Sequence, residues 1–118
     1  MAISKPVVFL AAMFLAWSVP IGHAQSPSRV EITAKRFTYE PDTITLKKGE
    51  PVVLVLHSSD VTHGIKIEAF NIKSGDIKKD EATEVRFIPQ QIGHFEGQCS
   101  HFCGKGHGTM KLKIDVVP

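Results

Sequence analysis

The sequence predicts an all-β fold, an antiparallel β-sandwich, on three observations. Short segments alternate apolar and polar residues with a period of two, and turn formers separate them. No segment after residue 25 shows a helical period. Val30, Ile32 and Ala34 alternate with polar residues and give the first strand. Ile44 and Leu46 repeat the pattern before the turn Lys47-Lys48-Gly49-Glu50. Residues 51–56 form a β-branched and leucine run, which suits a strand buried on both faces. Ile65 and Ile67 alternate again, then Val85 and Phe87 ahead of Pro89. Phe95 falls in a short strand over 95–99, and Leu112, Ile114 and Val116 in a last one over 110–117. Between them lie Pro41-Asp42, Ser58-Ser59-Asp60, Ser74-Gly75-Asp76 and Gln91-Ile92-Gly93, all rich in turn residues.

The 118 residues fit one domain with a leader before it. Lys5 supplies a short positive region and residues 7–19 are almost wholly apolar. Gly22-His23-Ala24 offers the small residues that a signal peptidase reads. The expected division is a signal peptide over 1–24 and a functional domain over 25–118, which makes the protein exported, periplasmic or otherwise extracytoplasmic. The competing reading is an uncleaved anchor, but the apolar run before Ser18 and Pro20 falls short of the roughly 20 residues that span a bilayer. The formal net charge is +2, and without Lys5 the chain holds 13 basic against 12 acidic residues. That balance gives no support for nucleic-acid binding, which needs a basic face to neutralise phosphates.

The chemistry is concentrated over 99–110, in Cys99-Ser100-His101-Phe102-Cys103-Gly104-Lys105-Gly106-His107-Gly108-Thr109-Met110. Thiolate, imidazole and thioether donors suit copper far better than calcium or magnesium, which take oxygen ligands. The three interleaved glycines let the loop turn tightly. Both of its ends enter predicted strands, so Cys103, His107 and Met110 are held from two sides. A loop rarely encloses a metal alone. His63, after Ser59-Asp60 and before Gly64, is the best distant donor.

These residues carry a resemblance. Cys99-x3-Cys103-x3-His107-x2-Met110 with an upstream His63 resembles the dinuclear copper A site of cytochrome c oxidase subunit II and nitrous-oxide reductase. Gly93-His94-Phe95-Glu96-Gly97-Gln98-Cys99-Ser100 and Ser59-Asp60-Val61-Thr62-His63 are similar to the flanking segments there. Residues 37–49 (FTYEPDTITLKKG) resemble the opening strands of cupredoxins. The resemblance implies a Greek-key, cupredoxin-like β-sandwich holding two copper ions. Cys99 and Cys103 would bridge them, His63 and His107 would each give a ring nitrogen, Met110 a weak thioether bond, and His101 its backbone carbonyl. It also implies one-electron transfer with a redox protein such as a c-type cytochrome or a membrane oxidase. Membrane contact would come only through an uncleaved leader or by docking on a complex. Position 101 is often Glu in the oxidase subunits and is His here. Their tryptophan-rich segment falls near residues 34–39, where this chain has Lys35, Arg36, Phe37 and Tyr39; its one Trp is Trp17.

Two further functions compete. One is a mononuclear blue-type site of His63, Cys103, His107 and Met110. The other is a periplasmic copper carrier or metallochaperone serving a membrane oxidase. A Cys99–Cys103 disulfide would account for the thiols of an exported protein but not for His107 and Met110 at ligand spacing. Asp60 either caps a turn or fixes the tautomer of His63. His57 and His94 read as structural or surface residues, Phe102 and Ile65 as core or an apolar collar, and 78–81 as a solvated turn.

Overall fold

The structure is a computed structural model that describes residues 27–118 and the isolated positions 4, 6, 11, 12, 16 and 17. The leader expected over 1–24 otherwise lies outside the described residues. Among the described residues no helix is long and apolar enough to cross a membrane.

The alternating segments become strands: β1 (Ser28–Lys35), β2 (Thr38–Glu40), β3 (Thr43–Lys47), β4 (Val52–Ser58), β5 (Lys66–Ile67), β6 (Ile72–Lys73), β7 (Thr83–Phe87), β8 (Gly93–Gln98) and β9 (Lys111–Val117). β2 and β6 are too short for a period of two to reveal them. One sheet runs β2-β1-β4-β7 and the other β3-β9-β8-β5-β6. Period two puts alternate side chains on one face. Ile32 and Ala34 of β1, Ile44 and Leu46 of β3, and Leu112, Ile114 and Val116 of β9 therefore all reach a shared core. β4 lies between β1 and β7, and Val52, Val53, Leu54, Val55 and Leu56 are all buried, as the unbroken apolar run requires.

The sandwich is the expected one, with a difference in strand direction. β1–β2, β4–β7, β5–β6, β5–β8 and β8–β9 pair antiparallel, whereas β1–β4 and β3–β9 are parallel. Both sheets are thus mixed. Apolar alternation is identical for the two directions, so it could not distinguish them. Direction follows from the route: the chain leaves β1 through β2, crosses to β3 in the other sheet and returns as β4. The 3-10 turn Glu68–Phe70 carries Phe70 between the sheets. Its ring stacks on Phe87 of β7 at 5.4 Å and meets Phe95 of β8 at 4.9 Å, within the range of favourable aromatic pairs.

The core does not stop at aliphatic residues. Cys99, Cys103 and Met110 belong to the same buried cluster as Tyr39, Leu56 and Ile65. The fold therefore sets its sulfur atoms against apolar neighbours.

Candidate metal centre

Two segments build the site. The first follows β4. Val61 N donates to Asp60 Oδ1 at 2.6 Å, and the Ser58 hydroxyl donates to the carbonyl of Val61, so the turn is fixed by its own side chains. His63 then pairs with Ile77 through two backbone bonds of 2.8 and 3.0 Å. Its side chain is 0% exposed. Nε2 lies 2.7 Å from Asp60 Oδ1, and Nδ1 is buried without a hydrogen-bond partner. Burial alone would raise the Asp60 carboxyl. Hydrogen bonds from Arg36 N, the His63 ring and Val61 N, with the charge of the ring, hold it down at about 2. An ionised carboxylate only accepts, so the Asp60 contact is donated by Nε2–H, which leaves Nδ1 as the ring nitrogen that could turn a lone pair to a metal.

The second segment is the loop from β8 to β9. Cys99 N donates to Met110 O at 3.3 Å, closing the loop at its neck. His107 N to Gly104 O (3.1 Å) and Met110 N to His107 O (3.3 Å) form the 3-10 turn His107–Thr109. Gly104 has φ +134°, a conformation that side chains rarely adopt. At Gly106 the constraint is space, because a Cβ there would overlap the ring of Phe37.

The two segments converge. The ligand atoms of His63, Cys99 and Cys103 all lie within 4.8 Å of one another. Cys103 Sγ is 3.7 Å from Cys99 Sγ, 3.8 Å from Met110 Sδ and 3.9 Å from His107 Nδ1. Cys99 Sγ is 3.0 Å from the carbonyl of His101. A thiolate–metal bond is about 2.3 Å and an imidazole–metal bond about 2.0 Å for zinc. Two donors on one ion must then sit closer than roughly 4.3–4.6 Å. Each contact of Cys103 meets that limit. An orphaned imidazole nitrogen facing soft sulfur donors is a donor set that fits copper.

All six sequence-predicted positions gather here, with His101 turned so that its carbonyl faces Cys99. Its own Nδ1 lies 3.0 Å from the Phe102 carbonyl. Both cysteines are free thiols rather than a disulfide. Asp60 takes the tautomer-fixing role. Of the two readings for Phe102 the core one fails: it is 73% exposed, with its ring 5.7 Å from that of His107. Ile65 is buried. His57 lies half-exposed near Glu31, and His94 is exposed against Asp115. Two contacts were not foreseen. Arg36 Nε donates to Cys103 O at 3.1 Å, and Tyr39 OH donates to Gly64 O at 2.7 Å. Each joins residues far apart in sequence, so no local pattern signals it.

Burial, the hydrogen bond with Cys99 and the charges of Cys99 and Asp60 push the Cys103 thiol up to about 11, against a smaller lowering by Arg36. Burial, then the neighbouring Cys99, likewise raises Tyr39 well above the usual phenol range. A raised thiol binds its proton more tightly in the folded chain. Its contribution to stability is complete below the unfolded value of about 8.5 and is lost as pH climbs through the folded value. Thermal unfolding of the metal-free, reduced protein should therefore move to lower temperature between about pH 9 and 11, and a flat profile there would contradict this.

Residues 7–110 match the family model for the cupredoxin-like domain, a match that begins inside the expected leader. The chain is 32% identical over 81 residues to cytochrome c oxidase subunit 2 of Thermus thermophilus, covering 69% of this chain and 59% of that protein. It is 31% identical over 91 residues to nitrous-oxide reductase of Cupriavidus necator, covering 74% of this chain and 14% of that one. The chain thus spans only part of these relatives. Among solved structures, the periplasmic domain of cytochrome oxidase subunit II (CoxB) of Bradyrhizobium japonicum superposes with a TM-score of 0.72 at 22% identity. That superposition covers 79% of this chain and 86% of that periplasmic-domain chain.

Proposed function

Since the chain belongs to the cupredoxin-like domain family, we propose that it is an exported one-electron carrier with a dinuclear copper A-type centre. Its ligands would be His63, Cys99, Cys103, His107 and Met110, with the carbonyl of His101. The observation that carries this reading is the orphaned Nδ1 of His63 beside two free buried thiols. Copper held by these residues would supply a one-electron couple, with no open position needed for substrate.

The chain's own residues account for the rest. Asp60 holds the His63 ring with Nδ1 forward. Cys103 stands within reach of Cys99, His107 and Met110, so it is the sulfur on which the donor set converges. Strands on both sides fix the loop, which limits rearrangement when the charge changes. Apolar packing buries both thiols, and that low-dielectric surrounding strengthens electrostatic interactions. The partner would be a redox protein such as a c-type cytochrome or a membrane oxidase, by analogy with the named relatives. A leader over 1–24 would export the 25–118 domain to the periplasm or its equivalent.

Copper content, and electron paramagnetic resonance of the oxidised centre after copper is loaded onto the protein with its thiols reduced, provide the test. Two ions per chain and an unpaired electron shared by two nuclei are expected. A single ion with the spectrum of a lone thiolate would instead support the mononuclear site, since Cys103, His107 and Met110 alone already form a close set. The variant Cys99→Ser separates the two: a dinuclear centre loses its shared-electron spectrum, whereas a blue-type site keeps its own.

A further inference from the structure

The geometry points to Arg36 as a positioning residue that staples the two ligand-bearing segments together and places a positive charge beside Cys103. This deepens the copper reading above and rests on it.

Arg36 sits in the tight connection between β1 and β2. Its backbone N–H donates to Asp60 Oδ2 at 2.8 Å, while Asp60 Oδ1 lies 2.7 Å from His63 Nε2. Its guanidinium Nε donates to the carbonyl of Cys103 at 3.1 Å. One residue therefore grips the His63 side through its main chain and the Cys103 side through its side chain. On the His63 side the grip extends the β1–β4 ladder, where Ser59 N donates to Ala34 O, whereas the bond to Cys103 crosses to the loop between β8 and β9 of the opposite sheet. The next residue, Phe37, fills the space under Gly104 and Gly106, so the connection supports the loop at two consecutive positions.

Charge adds a second consequence. The cavity of about 260 Å³ over Cys103 has Arg36 and His101 among its lining groups, and no carboxylate. Among the described residues the guanidinium forms no ion pair, although the Asp60 carboxylate bonded to the Arg36 backbone offsets part of its charge. The remaining positive charge favours whichever state of the centre carries more electrons, which is the reduced one. Lysine would restore the charge, but its single rotatable ammonium does not reproduce the planar fork that fixes Nε on the carbonyl.

Two substitutions test the role, Arg36→Met and Arg36→Lys. In metal-free Arg36→Met, amide hydrogen exchange over 103–107 should quicken by roughly tenfold, the loss of one hydrogen bond. Exchange in β4 should not change. In the loaded protein, release of copper to a chelator should accelerate by a similar factor. The reduction potential should fall by the equivalent of roughly a threefold shift toward the oxidised form. Arg36→Lys should recover the potential but not the slow release. If Arg36→Met does not fold, Arg36→Gln reads the charge by the same potential measurement. Parental exchange and potential in these variants would overturn the role of Arg36 while leaving the copper reading intact. A parent protein that retains no copper would overturn both.

Discussion

Cys103→Ser should abolish tight copper binding and remove the thiolate spectrum, with a larger effect than any other single change in the loop. Three donors meet its sulfur within 3.9 Å: Cys99, His107 and Met110. A hydroxyl is a poor soft-metal ligand, so the substitution removes the donor around which the others are arranged. The expected loss of affinity exceeds the roughly 10–100-fold that follows removal of an outer-shell partner. Competition with a copper chelator measures it directly. Retention within threefold of the parent would show that Cys103 is not a ligand. The metal-free variant should remain folded, because Ser is smaller and Cys103 lies where loop meets core rather than between the sheets.

Leu54→Ala should give the largest loss of stability. Leu54 is fully buried in β4, opposite Val30 of β1 and Val85 of β7, and faces the core cluster. Its neighbours belong to paired strands and cannot close over the space, so the cavity cost adds to the lost burial. The expected destabilisation is about 2–5 kcal/mol. For a domain of this size that lowers the melting temperature by about 10–20 °C. Urea or thermal unfolding of the metal-free protein checks it, and a shift within 2 °C would show that this strand can relax.

The sheets were legible because period-two patterning is a local property. Val30, Ile32 and Ala34, or Leu112, Ile114 and Val116, announce one buried face whatever they pair with. Strand direction was not legible for the same reason, and the parallel β1–β4 and β3–β9 pairs emerge only from the chain's route between sheets. Within the site, Cys99, Cys103, His107 and Met110 declare themselves because their separations are short. His63 followed from the loop's need of a distant donor, and Asp60 from its place beside it. Arg36 lay out of reach: its bond to Cys103 spans 67 positions, and nothing in Lys35-Arg36-Phe37 signals a loop packed above. Phe102 left two readings open, core or apolar collar, because residue type alone does not say which way a loop turns a side chain; its 73% exposure removes the first.

The parallel pairing of β3 with β9 also orders events in time. It joins Thr43–Lys47 to Lys111–Val117, and β9 separates β3 from β8 in the finished sheet. Contacts this distant along the chain make folding slow, because loop entropy is lost before they form. A chain emerging N-terminus first has β1, β2 and β4 available early. The loop over 99–110 stays untethered at one end until β9 inserts. His63 can be in place long before Cys103, so the donor set assembles last, and any metal arriving earlier meets separate thiols instead of a formed centre.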